Sequence, residues 1–413
     1  MKFFICSLLS FVQVFSLHFA FMPVRFRTLL AFLGFFMLIR DRKYLKLSRF
    51  EKRSWGKLVF SLFILLIVAS ISSLVNLNFD SHYYKYPISL LLSLCSSYAF
   101  IVLLYKIQKK GITACDLMLY ILIACVIQCL LSLVMFIDPS FQKVALGIVQ
   151  QNEMAKQAIA VEGENRILSF GAGFFAAGVI FSMSLYFSSI LINTQKSLKK
   201  VLILIICTLL IVFIGSAIAR TTLVGLLMFF IYFTLSPKVS MHKKLILFVI
   251  LGITMIIAIY LYFKYIEENP IFEKVFHRAF SVFYFFDKTG EIQSADTTIG
   301  HAIYPDNMKT WIIGDGLMAD PNHPEIAYYK GTDRGICRVL LGLGGVGLFV
   351  YSLIQYYLCK LTRLGRLESL LIFVMYFAFM LKSFVYMDLY VSLFIMLPIF
   401  QIIKKNKNKL LYS

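Results

Sequence analysis

Charged residues are scarce in this chain. They make up 15% of its 413 residues, whereas 60% of the residues are hydrophobic, and the mean hydropathy is +0.82. A typical soluble domain carries about 25% charged residues. Apolar runs of about 17 to 25 residues, the length that crosses a bilayer as a helix, recur along the sequence and leave no soluble domain between them. The sequence therefore predicts an all-α polytopic integral membrane protein, with residues 1–413 forming a single transmembrane domain.

Patterns typical of disulfides and metal sites are also missing. The eight cysteines fall in or beside apolar runs rather than in polar loops, as packed thiols do. The histidines of the predicted outer segments form no HxxxH or HExxH spacing, which zinc-binding helices use. We expect no metal site, and the sequence indicates no other cofactor.

The apolar runs predict about twelve transmembrane helices. The first 21 residues lack a small-x-small cleavage site, so we interpret them as a retained helix rather than a signal peptide. Helix boundaries inferred from hydropathy are soft by several residues. The predicted spans lie near residues 3–21, 24–39, 57–77, 87–105, 114–137, 167–193, 201–218, 221–236, 245–263, 336–358, 368–387 and 389–403.

The distribution of positive charge orients these spans. The net charge is +20, and with a cytoplasmic amino terminus most lysines and arginines fall in cytoplasmic segments, while the opposite side is almost balanced. This is the positive-inside pattern, so both termini are predicted to be cytoplasmic in a bacterial inner membrane. The basic balance then reflects topology and attraction to anionic membrane lipids. No basic motif with interleaved aromatics indicates nucleic-acid binding.

Two predicted outer loops are long enough to carry function. The first spans residues 138–166, and the second, a large periplasmic loop, spans residues 264–335. Within the second, "IFEKVFHRAFSVFYFF" has apolar positions at helical spacing and predicts an amphipathic helix lying at the membrane surface. No internal repeat is detectable, and inverted repeats are common in secondary transporters.

Arginines on the predicted outer side are the main candidates for binding an anionic ligand, because the positive-inside pattern does not explain them. A guanidinium stays charged and donates two parallel hydrogen bonds to phosphate. Arg220 stands alone in the short turn of "FIGSAIARTTLVGLL", although it can also snorkel to the interface. Arg166 has Glu162 and Glu164 as alternative partners, and Arg278 can contact lipid headgroups.

A second cluster precedes the tenth span, in "GTDRGICRVLLGLGGVGLF". Arg334 and Arg338 are four residues apart and so share a helix face. Asp333 is a candidate proton acceptor, or alternatively a helix cap. The glycines that follow predict close packing against another helix. Asp315 and His323 are further polar candidates in the large loop.

These stretches together resemble the bacterial O-antigen polymerase (Wzy) family and the related O-antigen ligases. The resemblance covers roughly residues 160–355 and rests on "NRILSFGAGFFAAG", "GSAIARTTLVGLL", "IIGDGL" and "TDRGICRVLLGLGGVGLF". Two positions depart from the family pattern. Ala219 replaces the serine of an "SRT"-like motif, and Asp333 with Arg334 stands where ligases usually carry His-Asn, which favours a polymerase.

The resemblance implies metal-independent glycosyl transfer at the periplasmic face. The donor would be a glycan on undecaprenyl diphosphate, the acceptor a lipid-linked repeat unit, and a chain-length regulator would be a further partner. Asp333, Arg220 and Arg334 would be catalytic, whereas Arg166, Arg278, Arg338, His323 and Asp315 would bind substrate. Two alternatives remain open: an O-antigen ligase, and a flippase or other transporter of lipid-linked oligosaccharides.

Overall fold

The computed structural model describes residues 1–150, 167–237, 303–322 and 328–411, with a few single positions between 239 and 260. Three candidate site residues, Arg166, Arg278 and His323, lie outside the described residues. The predicted amphipathic helix and the predicted span near 245–263 also lie outside them.

The described residues are mainly helical, and their only β-pairing is in isolated bridges. The principal helices are α1 Lys2–Val14, α2 Phe26–Asp41, α3 Arg49–Asn76, α4 Ser81–Gln108, α5 Ala114–Ile137, α6 Pro139–Ile148, α7 Phe174–Thr194, α8 Leu198–Ile218, α9 Thr222–Leu235, α10 Met308–Ile312, α11 Gly335–Leu361, α12 Arg366–Lys382 and α13 Asp388–Leu411.

Six of these helices, α3, α4, α5, α7, α8 and α11, are long and apolar enough to cross a membrane. The shorter helices α1 and α9 are also apolar. The chain is therefore a membrane-embedded protein with several spanning helices. The total of twelve spans, the choice of membrane and the orientation of the termini stay predictions.

The chain divides into two compact units. Unit 1 comprises Met1–Cys6, Met22–Leu117 and Thr298–Ser413, and unit 2 comprises Ser7–Phe21 and Met118–Thr297. Unit 1 thus contains α2, α3, α4 and α10 to α13, whereas unit 2 contains α6 to α9 and most of α1 and α5. Whether residues 1–413 form a single transmembrane domain depends on how the two units are arranged, so the single domain stays a prediction.

Helices of unit 1 pack closely around α4 and α11. Helix α4 contacts α2 and α13, and α11 contacts α3, α10, α12 and α13. Gly34 on α2 has no space for a side chain, because a Cβ there would overlap the Cys95 backbone of α4. Small residues allow this backbone approach, on which helix association in a bilayer depends.

Polar contacts occur at both ends of unit 1 as well as within it. At one end Arg363 pairs with Glu51, and the Asn406 amide donates to the Tyr44 carbonyl. At the other end lie the carboxyl end of α3, the start of α4, α10 and the start of α11. The first set belongs to segments predicted to be cytoplasmic and the second to segments predicted to be periplasmic, so the contacts agree with the predicted grouping of segments.

Helix α11 is interrupted within its predicted span. Gly344 has φ +67° and ψ −172°, which is not helical, and a Cβ there would overlap the Ile312 carbonyl. The backbone of the neighbouring loop fills the interruption: Asp315 N–H donates to the Leu341 carbonyl at 2.6 Å, and Gly316 N–H donates to the Gly342 carbonyl at 2.9 Å. Non-helical backbone is tolerated at membrane depth only when such groups are satisfied within the protein.

Unit 2 contains a helix where the first long loop was predicted. Asp138 caps the start of α6 by accepting from the Ser140 and Phe141 N–H groups, and Pro139 is suited to the first helical position. Ala145 of α6 packs with Met135 and Leu168. The start of the predicted loop 138–166 is therefore a helix with a buried apolar contact.

Candidate functional site

The start of α11 joins three of the predicted site residues. Asp333 and Arg334 are half-buried and lie directly before the helix, with Arg334 in extended backbone. The Ser383 hydroxyl donates to Asp333 Oδ1 at 3.1 Å. Arg334 is the N-cap residue, and no side chain caps this helix. Asp333 is thus one residue too early to be the cap and is held instead by the segment after α12.

Arg338 lies one turn into α11 and is only 8% exposed. Its guanidinium carbon is 3.7 Å from the Tyr328 ring centroid and 5.6 Å from that of Phe384. Its Nε is buried without a hydrogen-bond partner, and no acid in the described part of the chain forms an ion pair with it. Aromatic stacking therefore holds this cation but leaves its charge uncompensated by any described carboxylate.

The "GDG" loop that follows α10 is wedged between α3 and α11. Asn76 Nδ2 donates to the Gly314 carbonyl at 2.8 Å, and Asn78 Nδ2 donates to the Asp315 carbonyl at 3.1 Å. Gly314 and Gly316 have φ of +80° and +79°, the left-handed region that favours glycine. These two glycines therefore allow the loop backbone to pass close to the backbones of α11 and α3.

The Asp315 side chain contacts residues on both sides of this loop in the sequence. Its carboxylate accepts from the Thr310 hydroxyl at 2.6 Å and from the Tyr329 hydroxyl at 3.2 Å. Burial and the neighbouring Asp315 carboxylate raise the pKa of Tyr329, so the phenol stays protonated and can donate. These contacts give Asp315 an anchoring role in the described structure.

A carboxylate and an imidazole lie at the start of α4, close to the same loop. Asp80 Oδ1 accepts from His82 Nδ1 at 2.8 Å and from the His82 N–H at 2.8 Å. Asp80 Oδ2 accepts from the N–H groups of Met318 and Ala319, at 2.9 and 3.2 Å. Ala319 in turn forms an isolated β-bridge with Tyr328, the residue that stacks on Arg338. The Asp80–His82 pair is thus connected to the Arg338 site through one short segment.

Tyr83 follows His82 on α4 and contacts α11. Its hydroxyl is buried without a hydrogen-bond partner in the described residues and packs against the α carbon of Gly342, where a Cβ would overlap it. One end of unit 1 therefore contains the Asp80–His82 pair, the buried Tyr83 hydroxyl and the buried Arg338 guanidinium.

Arg220 belongs to unit 2 and is half-buried in the turn between α8 and α9. The Ser182 hydroxyl donates to the Thr221 carbonyl at 2.6 Å, and the Thr222 hydroxyl donates to the Gly215 carbonyl at 3.0 Å. Gly178 has no room for a Cβ because the Thr221 hydroxyl lies against it. The turn is firmly packed on α7, which gives Arg220 a defined backbone position.

The structure places the predicted site residues in two groups. Asp333, Arg334, Arg338 and Asp315 lie at one end of unit 1, whereas Arg220 lies in unit 2. Sequence reasoning missed Asp80 and His82 as a pair, because it searched histidines for metal-ligand spacing. The available signal was Asp-x-His at a predicted helix start. The described residues contain no group of three His, Cys, Asp or Glu arranged to hold a metal ion.

Comparison of the chain with protein-family models, with curated proteins and with solved structures finds no match.

Proposed function

We propose that the protein is a surface-polysaccharide polymerase of the O-antigen type, acting at the periplasmic face of a bacterial inner membrane. A glycan on undecaprenyl diphosphate is transferred to a sugar hydroxyl of another lipid-linked repeat unit. The hydroxyl oxygen bonds to the anomeric carbon, the bond from that carbon to the diphosphate breaks, and the hydroxyl proton passes to a base. The diphosphate leaves with the electron pair, so cations are needed where negative charge develops.

The observation that carries this proposal is the buried guanidinium of Arg338. Removing a cation from water costs several kcal/mol unless an opposite charge compensates it. The described residues supply aromatic stacking and no carboxylate. A diphosphate would supply the missing negative charge, and the planar fork of arginine matches two phosphate oxygens. Arg338 is therefore proposed to bind the diphosphate.

Asp333 and Arg334 complete the proposed site. Arg334 precedes Arg338 by one helical turn, where it adds positive charge for the departing diphosphate. The Asp333 carboxylate, held by Ser383, receives a hydrogen bond from the acceptor hydroxyl, either to orient it or to remove its proton. Arginines can stabilise the leaving group without a metal, so we propose a metal-independent glycosyltransferase.

Surface polysaccharide from a strain that lacks this protein tests the proposal against its alternatives. Loss of a polymerase leaves lipid A core capped by single repeat units. Loss of a ligase leaves bare core with polymer still on the lipid carrier, and loss of a flippase leaves neither. Only the first pattern supports the proposal.

Complementation links the phenotype to the proposed site. Arg338→Lys keeps the positive charge but loses the planar fork, so we expect it to leave single repeat units. Arg363→Lys is the matched control, because Arg363 follows the opposite end of α11, where a lysine can keep the pair with Glu51. A normal ladder from Arg338→Lys at matched membrane abundance contradicts the assigned role of Arg338.

A further inference from the structure

The Asp80 carboxylate has more hydrogen bonds than a helix cap requires. It is 8% exposed, and three backbone N–H groups, those of His82, Met318 and Ala319, already donate to it. A cap usually satisfies one or two of these groups. The additional bond from His82 Nδ1 at 2.8 Å is not needed to satisfy the carboxylate. This bond instead fixes the ring orientation of the His82 imidazole.

The same bond also fixes the tautomer of His82. Burial opposes ionisation of Asp80, but hydrogen bonds from the His82 side chain and from the backbone of His82 and Met318 hold the pKa of Asp80 well below its ordinary value. An ionised carboxylate only accepts, so Nδ1 carries a proton, and in the neutral form of the ring Nε2 is the acceptor. The side chain is 47% exposed, and Nε2 has no hydrogen bond to a described residue.

This imidazole lies at the same end of unit 1 as the proposed diphosphate site and is joined to it by a chain of contacts. The segment that donates to Asp80 continues to Ala319, which pairs with Tyr328, and Tyr328 stacks on Arg338. Tyr83, the residue after His82, packs its hydroxyl against Gly342, which lies one helical turn after Arg338 on α11. Two sets of contacts therefore connect the start of α4, which carries His82, to the part of α11 that carries the buried cation.

We infer that His82, oriented by Asp80, is the base that deprotonates the acceptor hydroxyl in the proposed polymerase reaction. The inference rests on the proposed function and deepens it. The hydroxyl proton passes to His82 Nε2 while the oxygen bonds to the anomeric carbon, and the lipid diphosphate leaves towards Arg338. Asp80 is a positioning residue, and Asp333 then orients the hydroxyl rather than removing its proton.

The test is polymerisation by the purified full chain, supplied with lipid-linked repeat units in detergent micelles. His82→Asn retains an amide N–H that can donate to Asp80 but has no base, so we expect a rate loss of about 100-fold or more, the range for loss of a general base. His82→Ala should be similarly slow and should recover activity when free imidazole is added. His18→Asn is the matched control. Asp80→Asn replaces one acceptor oxygen by an amide nitrogen that cannot accept from His82 or from the Met318 and Ala319 N–H groups, so its Tm is measured beside its kinetics; in the folded variant kcat should fall more than KM changes, without rescue by imidazole.

The outcomes separate the inference from the proposed function. If the wild-type protein forms no polymer, the proposed function fails. If the wild type polymerises and His82→Asn equals it, the inference alone is overturned. A slow His82→Ala variant that imidazole does not rescue, with unchanged thermal stability, also overturns the role of His82 as base.

Discussion

Replacing Arg338 by methionine tests two effects of the buried cation separately: its effect on the stability of the fold and its contribution to polymerisation. Methionine keeps an unbranched stem of similar length and removes the guanidinium. If Arg338 stabilises the developing charge on the diphosphate, polymerisation should slow by about 100-fold to 1000-fold, which is the usual effect of removing one such group. The assay is the length distribution of polymer formed by the purified protein from lipid-linked repeat units.

Stability should change in the opposite direction. Loss of stacking on Tyr328 and Phe384 removes about 0.5 to 2 kcal/mol, whereas a buried charge without an ion pair costs several kcal/mol. Arg338 is 8% exposed and pairs with no described acid, so the second effect is the larger. We expect Arg338→Met to have a Tm equal to or above that of the wild type, measured in detergent at one fixed scan rate because membrane-protein unfolding is often irreversible.

Arg363→Met provides the contrasting result. Arg363 pairs with Glu51, whose side chain is buried, so removing the guanidinium leaves a buried carboxylate without its partner. This variant should have a lower Tm and keep its activity. A normal polymer ladder from Arg338→Met refutes the proposed binding role, and a large fall in its Tm refutes the argument that its charge is uncompensated.

Four further predictions test individual features of the chain. Arg220→Lys should be inserted but inactive, because an ammonium does not reproduce the bidentate fork; polymer of normal length would assign Arg220 to snorkelling. Asp333→Asn should shorten the ladder at unchanged Tm, because an amide oxygen accepts more weakly than a carboxylate and no side chain caps α11; a normal ladder would exclude Asp333 from the chemistry. Gly344→Ala should lower the Tm, since φ +67° with ψ −172° is a region that costs about 1 to 3 kcal/mol for a residue with a Cβ and the Ile312 carbonyl occupies the space; an unchanged Tm contradicts this. Reporter fusions after residues 110 and 150 should report cytoplasm and periplasm respectively, and the reverse result would remove the topological basis of the proposed function.

Individual helices could be predicted from the sequence because they depend on local composition. Inside a bilayer the backbone polar groups of a long apolar run have no water to bind, and a helix satisfies them within the run itself. Ser48 and Glu51 form a capping box at the start of α3, a signal readable from their spacing. The short helix α6 was not predicted, although Asp138 and Pro139 form a local helix-start signal; its packing with Met135 and Leu168 joins separate elements and cannot be read from a local pattern.

The interruption of α11 could not be predicted for a similar reason. The glycines of "GLGGVG" indicate close approach, but sequence does not reveal whether a helix or a loop makes it. The structure shows that the Asp315 and Gly316 N–H groups occupy this position. Gly344 therefore needs glycine both for its positive φ and for contact with Ile312, which the expectation of a helix packing surface did not include.

The candidate site was only partly predictable because the spacing of charged residues in a sequence does not reveal which of them are buried. Arg334 and Arg338 share one predicted helix face, yet Arg338 is buried against aromatic rings whereas Arg334 is only half-buried. His82 is unremarkable by its spacing to other histidines. It becomes a candidate base once Asp80 is seen to hold its Nδ1 and to bind the segment that leads to Tyr328.

The glycine motifs and the charged residues belong to one structural unit. Interruption of α11 leaves the Leu341 and Gly342 carbonyls without their helical partners, and the "GDG" loop satisfies them. The chain after that loop then donates Met318 and Ala319 N–H groups to Asp80 and places Tyr328 on Arg338. A substitution that displaces this loop should therefore disturb both the imidazole and the cation, although it touches neither. The glycines hold in place the backbone that connects the Asp80–His82 pair to Arg338. A glycine substitution should therefore lower activity to the extent that it displaces this loop.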